Sequence, residues 1–255
     1  MDERVAVITG GSSGIGAEVA RKLRAQGWTC VLVARGEERL RELAGEIGAE
    51  AEVCDVGDRA SVAALAERVT ARHPKIKLLV NNAGIPARAD FINGEPERIE
   101  AVARVNYLGG VWCLRAFLPA LEAAVPADVV NVVSVAGTVA IPPSGPYAAS
   151  KHAQLAFSRA TAAQLRGRGI KVHTVLPGFA ETEGFPQRGV IPKSFEWTII
   201  GPERIARCIL ASVEHDRRES FVPWFYRPVA IMQAVTPSLM ARVLARGKYG
   251  GPGAA

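Results

Sequence analysis

Short apolar runs recur along this chain without the polar alternation of a half-exposed sheet. Val5–Ile8, Cys30–Val33, Ala51–Cys54, Leu78–Val80, Val129–Val133 and Val172–Leu176 are rich in Val, Ile and Leu and have the length of strands. Strands of this kind have both faces covered, as in a parallel sheet. Between them lie stretches of helical period: Ile15–Ala25, Glu37–Ile47, Ser61–Arg72, Arg98–Glu122 and Tyr147–Arg166. In the first of these, Val19 and Leu23 follow Ile15 on one face. Such alternation predicts an α/β fold, a doubly wound parallel sheet with right-handed crossovers and helices on both faces.

No linker interrupts the pattern up to Leu176. Residues 178–202 then read as a loop, with Gly184, Pro186, Gly189 and Pro192. A helix over Glu203–Glu214 and a strand over Ser220–Val222 follow. Thr236-Pro237 starts a further helix, with Thr as N-cap and Pro at the first helical position. We therefore expect one α/β domain over 1–222, with 223–255 as a helical extension of it and a frayed Gly-rich tail over Gly247–Ala255.

The composition narrows the function classes. Of 255 residues, 49% are hydrophobic, which excludes a chain disordered throughout. No apolar run reaches the roughly 18–20 residues that span a bilayer. The 31 Lys and Arg against 25 Asp and Glu leave +6, with no dense basic tract, so nucleic acid is not an expected partner. Cys30, Cys54, Cys113 and Cys208 form no C-x-x-C pair and read as reduced thiols. With a charged N-terminus, Met1-Asp2-Glu3-Arg4, and no secretory segment, a cytoplasmic location is expected. His73, His152, His173 and His215 are scattered, and no metal site is expected.

The first apolar run leads into Thr9-Gly10-Gly11-Ser12-Ser13-Gly14-Ile15-Gly16 and then a helix. Glycines here let the backbone approach a pyrophosphate, and the helix offers unpaired N–H groups and the positive end of its dipole. Ala17-Glu18 follow where a Walker A loop has Lys and Ser or Thr, which argues against a nucleoside triphosphate.

Further motifs follow in order: Asn81-Asn82-Ala83-Gly84, Asn106, Ser134, Tyr147-x-x-x-Lys151 and Pro177-Gly178-x-x-x-Thr182. With Thr9–Gly16, this set resembles the short-chain dehydrogenase/reductase family over roughly residues 4–222. The resemblance implies a single-domain Rossmann-type fold of about seven strands. It also implies an NAD(P)-dependent oxidoreductase that interconverts a ketone or aldehyde and an alcohol.

Tyr147 and Lys151 stand four apart, on one face of a helix. A cation about 4 Å from a phenol contributes about 4 kcal/mol in a partly screened site. That is enough to lower the phenol by roughly three pH units before desolvation opposes it. Tyr147 is thus expected to be acidified by Lys151 and to act as general acid/base. The resemblance further implies that Ser134 holds the substrate oxygen, that Lys151 also holds the nicotinamide ribose, and that Asn106 anchors a water leading to Lys151. For the cofactor it implies Gly10, Ser12, Ser13, Gly14, Ile15 and Gly16 at the pyrophosphate. Asp55 and Val56 would meet the adenine, Asn81, Ala83 and Gly84 the ribose side, and Pro177, Gly178 and Thr182 the nicotinamide.

The second strand ends in Ala34-Arg35, where an NAD site would place an acid on the ribose 2′-OH. A guanidinium suits a 2′-phosphate, so NADP(H) is expected, with NAD(H) as the alternative. Ser13 stands where some NADP-binding relatives carry Lys or Arg. Arg39 and Arg41 read as surface helix charges. Phe179, Phe185, Ile191, Phe195 and Trp197 in the loop predict an apolar small-molecule substrate. The amphipathic end beyond Val222 (Trp224, Phe225, Tyr226, then Leu239, Met240, Val243, Leu244 against Arg242, Arg246, Lys248) admits three readings: a lid, a subunit interface or, less favoured, a membrane-surface contact. The resemblance implies a homodimer or homotetramer. The competing readings are a 3-oxoacyl-thioester reductase, an NAD-dependent alcohol or hydroxysteroid-type dehydrogenase, and a non-catalytic dinucleotide-binding regulator.

Overall fold

A computed structural model describes residues 3–87, 91–140, 144–189, 191 and 193–246, with only the backbone for 243–246. The strands are β1 (Val5–Thr9), β2 (Thr29–Ala34), β3 (Glu50–Val53), β4 (Leu78–Asn81), β5 (Ala127–Val132), β6 (Ile170–Pro177) and β7 (Glu219–Val222). They form one parallel sheet in the order β3-β2-β1-β4-β5-β6-β7. The winding reverses between β1 and β4, and the carboxyl ends of these strands open a crevice there.

The helices are α1 (Gly14–Ala25), α2 (Glu37–Ile47), α3 (Arg59–Arg72), α4 (Pro96–Ala103), α5 (Gly109–Glu122), α6 (Gly145–Leu165), α7 (Pro202–Glu214), α8 (Tyr226–Val235) and α9 (Pro237–Arg246). The five inner strands β1, β2, β4, β5 and β6 have two buried faces, and the edge strands β3 and β7 are covered only in part. In β1, Val5 and Val7 enter one core with Leu65 of α3 and Phe117 and Leu121 of α5. Ala6 and Ile8 enter the other with Val19 and Leu23 of α1, Leu40 of α2 and Ile205 of α7. The missing polar alternation follows from this two-sided burial.

The expected helix over Arg98–Glu122 is not continuous. A π-helical turn over Arg104–Leu108 separates α4 from α5. It places Asn106 where its side chain grips the backbone of Ile85, and it brings Gly109 against Val56, where a Cβ would come within 2.9 Å of Cγ2. Helix α3 starts at Arg59, two residues before the expected Ser61, because Asp58 accepts the Ala60 N–H at 2.9 Å. Helix α8 was not expected from the sequence. Its Pro228 falls in the first turn, where no intrahelical N–H is needed.

Cys30, Cys54 and Cys113 are buried and Cys208 is partly so, and all four are free thiols. His173 lies between Asp128 (2.8 Å) and the Arg217 carbonyl (3.0 Å), and His73 meets Glu50 at 2.7 Å. Among the described residues, no helix is long and apolar enough to cross a membrane. Met1-Asp2 and the tail Gly247–Ala255 lie outside the described residues, as do the side chains of Val243, Leu244 and Arg246.

Candidate functional site

A cleft of about 840 Å³ opens at the carboxyl ends of the strands. At one end lies the glycine turn between β1 and α1. Gly10 and Gly14 have φ of 64° and 54°, which L side chains rarely adopt. Gly16 backs directly onto the Gly10 carbonyl, leaving no room for a Cβ. Asn82 braces the turn by donating to the carbonyls of Thr9 (3.0 Å) and Gly10 (3.2 Å). The Thr9 hydroxyl in turn accepts the N–H groups of Asn82 (3.0 Å) and Ala83 (3.1 Å). Ser13 is the N-cap residue of α1, yet its side chain makes no cap hydrogen bond. The first-turn N–H groups of α1 are thus left for an anion, and Ser12, Ser13, Gly14 and Ile15 line the cleft beside them. A pyrophosphate fits this cradle.

Arg35, at the end of β2, lines the same region with Asp55 and Val56. Its guanidinium is 4.0 Å from the Asp55 carboxylate, whose other oxygen accepts the Gly57 N–H at 2.9 Å. Arg39 is not merely a surface helix charge. It donates to the Ser12 carbonyl at 3.1 Å and pairs with Glu183 from the loop after β6, which lies across the glycine turn.

The middle of the cleft carries Ser134, Tyr147 and Lys151. Ser134 follows β5 and opens a short 3₁₀ turn, accepting the Ala136 N–H at 3.1 Å. Its hydroxyl donates to the Pro177 carbonyl at 3.4 Å and shares the cleft with the Tyr147 phenol. Tyr147 and Lys151 share a face of α6, with Nζ of Lys151 5.8 Å from the phenol ring centre. Lys151 Nζ donates to the Val132 carbonyl (3.1 Å) and to Gln154 Oε1 (2.8 Å).

The proton affinities differ from the sequence expectation. Burial pushes the Tyr147 phenol up to about 12, with the Ser134 hydroxyl acting in the lowering direction. Burial also brings the Lys151 ammonium down to about 7. Near pH 7, Lys151 is therefore charged only part of the time, and the dry wall outweighs what its charge does for the phenol. Burial thus favours the neutral phenol, a proton donor rather than an acidified one.

The far wall is aromatic. Phe179, Phe185, Phe195, Trp197, Phe225 and Tyr226 line it. Ring centres lie 5.8 Å apart for Tyr147 and Phe185, 6.4 Å for Phe179 and Tyr226, and 5.3 Å for Trp197 and Phe225. Tyr226 packs flush on Gly178, where any Cβ would collide with its ring.

The short chain dehydrogenase family profile matches residues 4–189. The chain belongs to the short-chain dehydrogenase/reductase family. It is an oxidoreductase of that family. A bovine protein named dehydrogenase/reductase SDR family member 7B is 30% identical over 263 residues, covering 94% of this chain and 80% of the relative. A short chain dehydrogenase from Burkholderia cenocepacia, solved in complex with NADP, superposes with a TM-score of 0.82 at 28% identity, covering 95% of this chain and 98% of its own. A short chain dehydrogenase/reductase from Burkholderia phymatum, solved with NAD, also gives 0.82, at 25% identity, covering 93% of this chain and 95% of its own.

Most sequence-predicted site residues of this dehydrogenase meet in the cleft; three stand behind its wall. Asn81 points into the core, donating to Asn131 Oδ1 at 2.9 Å; Asn131 donates to Ser158 at 2.9 Å, and Ser158 meets Thr174 at 2.7 Å. The expectation that Asn81 lines the ribose side is corrected: strand alternation turns it inward, and Asn82, Ala83 and Gly84 face the cleft. Gly16 supports the turn from behind. Asn106 accepts the Ile85 N–H at 2.8 Å and donates to the Ile85 carbonyl (3.1 Å) and Ser150 (3.1 Å), with Gly84 lying between it and Lys151. Pro177, Gly178 and Thr182 are on the cleft wall, and Ile191 is not among its lining residues.

The sequence reading missed Asn82 and Gln154 as site residues; it read Arg39 as a surface helix charge and placed Tyr226 in the amphipathic end with a lid among its readings. Asn82 was within a quoted motif, and Gln154 lies three residues after Lys151, within reach on a helix. Asn131, set among valines in Val129–Val133, was the visible sign of a buried polar chain. Arg39 and Tyr226 are recruited by partners distant in sequence, and no local signal marks them.

Proposed function

We propose that this dehydrogenase interconverts an apolar ketone or aldehyde and the corresponding alcohol, using NADP(H). The observation that carries the reading is the meeting of Ser134, Tyr147 and Lys151 in one cleft, between a phosphate-shaped glycine turn and an aromatic wall. Gly10, Ser12, Ser13, Gly14 and Ile15 would hold the pyrophosphate, with Gly16 supporting the turn from behind. Asp55 and Val56 would flank the adenine, Ala83 and Gly84 the ribose side, and Pro177, Gly178 and Thr182 the nicotinamide end. Bound there, the cofactor supplies or accepts a hydride.

The chain's own residues do the rest. In the reducing direction, the neutral Tyr147 phenol donates its proton to the carbonyl oxygen as that oxygen gains charge. Ser134 donates a hydrogen bond to the same oxygen and fixes its position. The Lys151 ammonium stabilises the phenolate left behind, and Tyr147 regains its proton from solvent. Asn106 positions the Ile85 backbone and, through Ser150, the first turn of α6. Arg35 supports a 2′-phosphate, and Ala34 leaves no carboxylate at the end of β2 to repel it.

The test measures NADPH and NADH consumption against hydrophobic ketones, aldehydes, 3-oxoacyl thioesters and small sugars. We expect NADPH and hydrophobic ketones to give the highest kcat/KM. Tyr147→Phe should lower kcat on the order of 10²- to 10⁴-fold while dinucleotide binding, read by intrinsic fluorescence, persists. Native turnover by that variant overturns the mechanism, and faster turnover of polar sugars overturns the substrate class.

A further inference from the structure

The outer surface of α8 and α9 is unlike the rest of the molecule. Trp224 is 74% exposed, Val235 72% and Trp197 70%, with Ile231, Met232 and Leu239 also exposed. These six are over half of the eleven exposed large apolar side chains among the described residues; Trp197 lines the cleft, and the other five lie on α8, α9 or the residues just before α8. Helix α8 packs on the body through partly buried Tyr226, Val229 and Ala230, which leaves Ile231, Met232 and Val235 exposed.

Charge accompanies this surface. From Pro223 to Ala255 the chain has no Asp or Glu, against Arg227, Arg242, Arg246 and Lys248. Arg227 and Arg242 are exposed. The nearby acids are Glu196, next to Trp197 in sequence, and Glu219, which is held by Arg159 at 2.8 Å. A second copy of this chain docked face to face would set arginine against arginine, with few acids to offset them. Tryptophans at the edge of an apolar patch that also carries arginines suit the headgroup layer of a bilayer. The surface is also continuous with the cleft: exposed Trp197 stacks on Phe225, Phe225 on Tyr226 (4.9 Å), and Tyr226 on Phe179 inside.

We propose that α8, α9 and the flanking Trp197 and Trp224 form a docking surface for an anionic lipid bilayer, laid in the interfacial plane with the cleft mouth beside it. No helix crosses the membrane in this arrangement; the apolar faces enter the headgroup boundary and the arginines meet lipid phosphates. The docking does not depend on the substrate class proposed above, and it is measured without turnover.

The experiment is flotation of the full-length protein with vesicles of phosphatidylcholine alone and of phosphatidylcholine mixed with phosphatidylglycerol, at low and high salt. Sedimentation velocity is run in parallel. We expect flotation with the anionic vesicles, weakening with salt. Val235→Glu combined with Trp224→Ser should abolish it. Arg227→Glu with Arg242→Glu should weaken it by on the order of tenfold or more, while turnover of a water-soluble ketone stays at the native level. Circular dichroism separates loss of docking from loss of fold, and the arginine pair tests the charge term if the apolar pair unfolds. Absence of flotation with either vesicle at low salt overturns the proposal. So does equal flotation with all variants, or an oligomer that dissociates on Val235→Glu, which would show that a second copy covers the face.

Discussion

The two ends of the cleft are built differently. At the glycine turn, backbone does the work: Gly10 and Gly14 hold left-handed φ values, Gly16 rests on a carbonyl, and Asn82 and Thr9 tie the turn to β4 through hydrogen bonds of 3.0–3.2 Å. At the opposite end, side chains do it: aromatic rings from the loop after β6 and from α8 stack into a wall and extend onto the outer surface. A backbone site admits almost no substitution, because each glycine is needed for its shape. A side-chain wall can be rebuilt ring by ring. The difference teaches that the chain is strict about a dinucleotide-shaped ligand and permissive about what reacts with it.

Four measurements sharpen or break that contrast. The largest effect is expected at Gly16→Val, where the new side chain meets the Gly10 carbonyl. Dinucleotide affinity should fall by on the order of 100-fold, whereas Phe195→Leu on the opposite wall should leave it unchanged. Equal losses from both would erase the distinction. Arg35→Ala comes next: NADPH affinity by fluorescence titration should drop roughly 10- to 100-fold and NADH affinity should stay put. Indifference of NADPH to this change assigns the 2′ position elsewhere.

Lys151 gives a smaller, pH-dependent effect. Its folded pKa is lowered to about 7 from an ordinary 10.5, so folding disfavours its proton. The resulting penalty is present in full below about pH 7 and fades as the pH rises through that interval. Lys151→Met should therefore gain most in Tm, relative to native, at or below pH 7, by about 2–4 °C per kcal/mol removed. The gap should narrow toward pH 10.5. A gap independent of pH would show that Lys151 is not dehydrated by the wall. The smallest effect is expected at Glu183→Gln. Freed from its carboxylate partner, Arg39 should strengthen NADPH binding a few-fold, as an exposed pair of about 0–1 kcal/mol allows.

Much of this was legible in the order of residues. All seven strands were located to within two residues at each end, the five inner ones because apolar runs buried on both sides leave a clear trace. The glycine turn and the Tyr147–Lys151 pair were legible because their spacing encodes geometry within a single turn or helix, and Ser134 was reached only through the family resemblance. The break at Arg104–Leu108 was not, since a π turn shares the helical period and is produced by tertiary contacts to Ile85 and Val56. Helix α8 was missed because its Pro and aromatic residues resemble a loop when their packing is unknown.

What the sequence determined by itself, then, is the alternation of elements, the phosphate-shaped turn and the placing of Tyr147 and Lys151 on one helix face, each set by neighbours within a few positions. Only the tertiary structure decided which asparagine of Asn81-Asn82 faces the cleft, that Tyr147 keeps its proton while Lys151 loosens its own, and that Arg39 reaches Glu183 across the turn. Those outcomes depend on burial and on partners far along the chain. Water exclusion and long-range contact exist only once the sheet has closed its two cores.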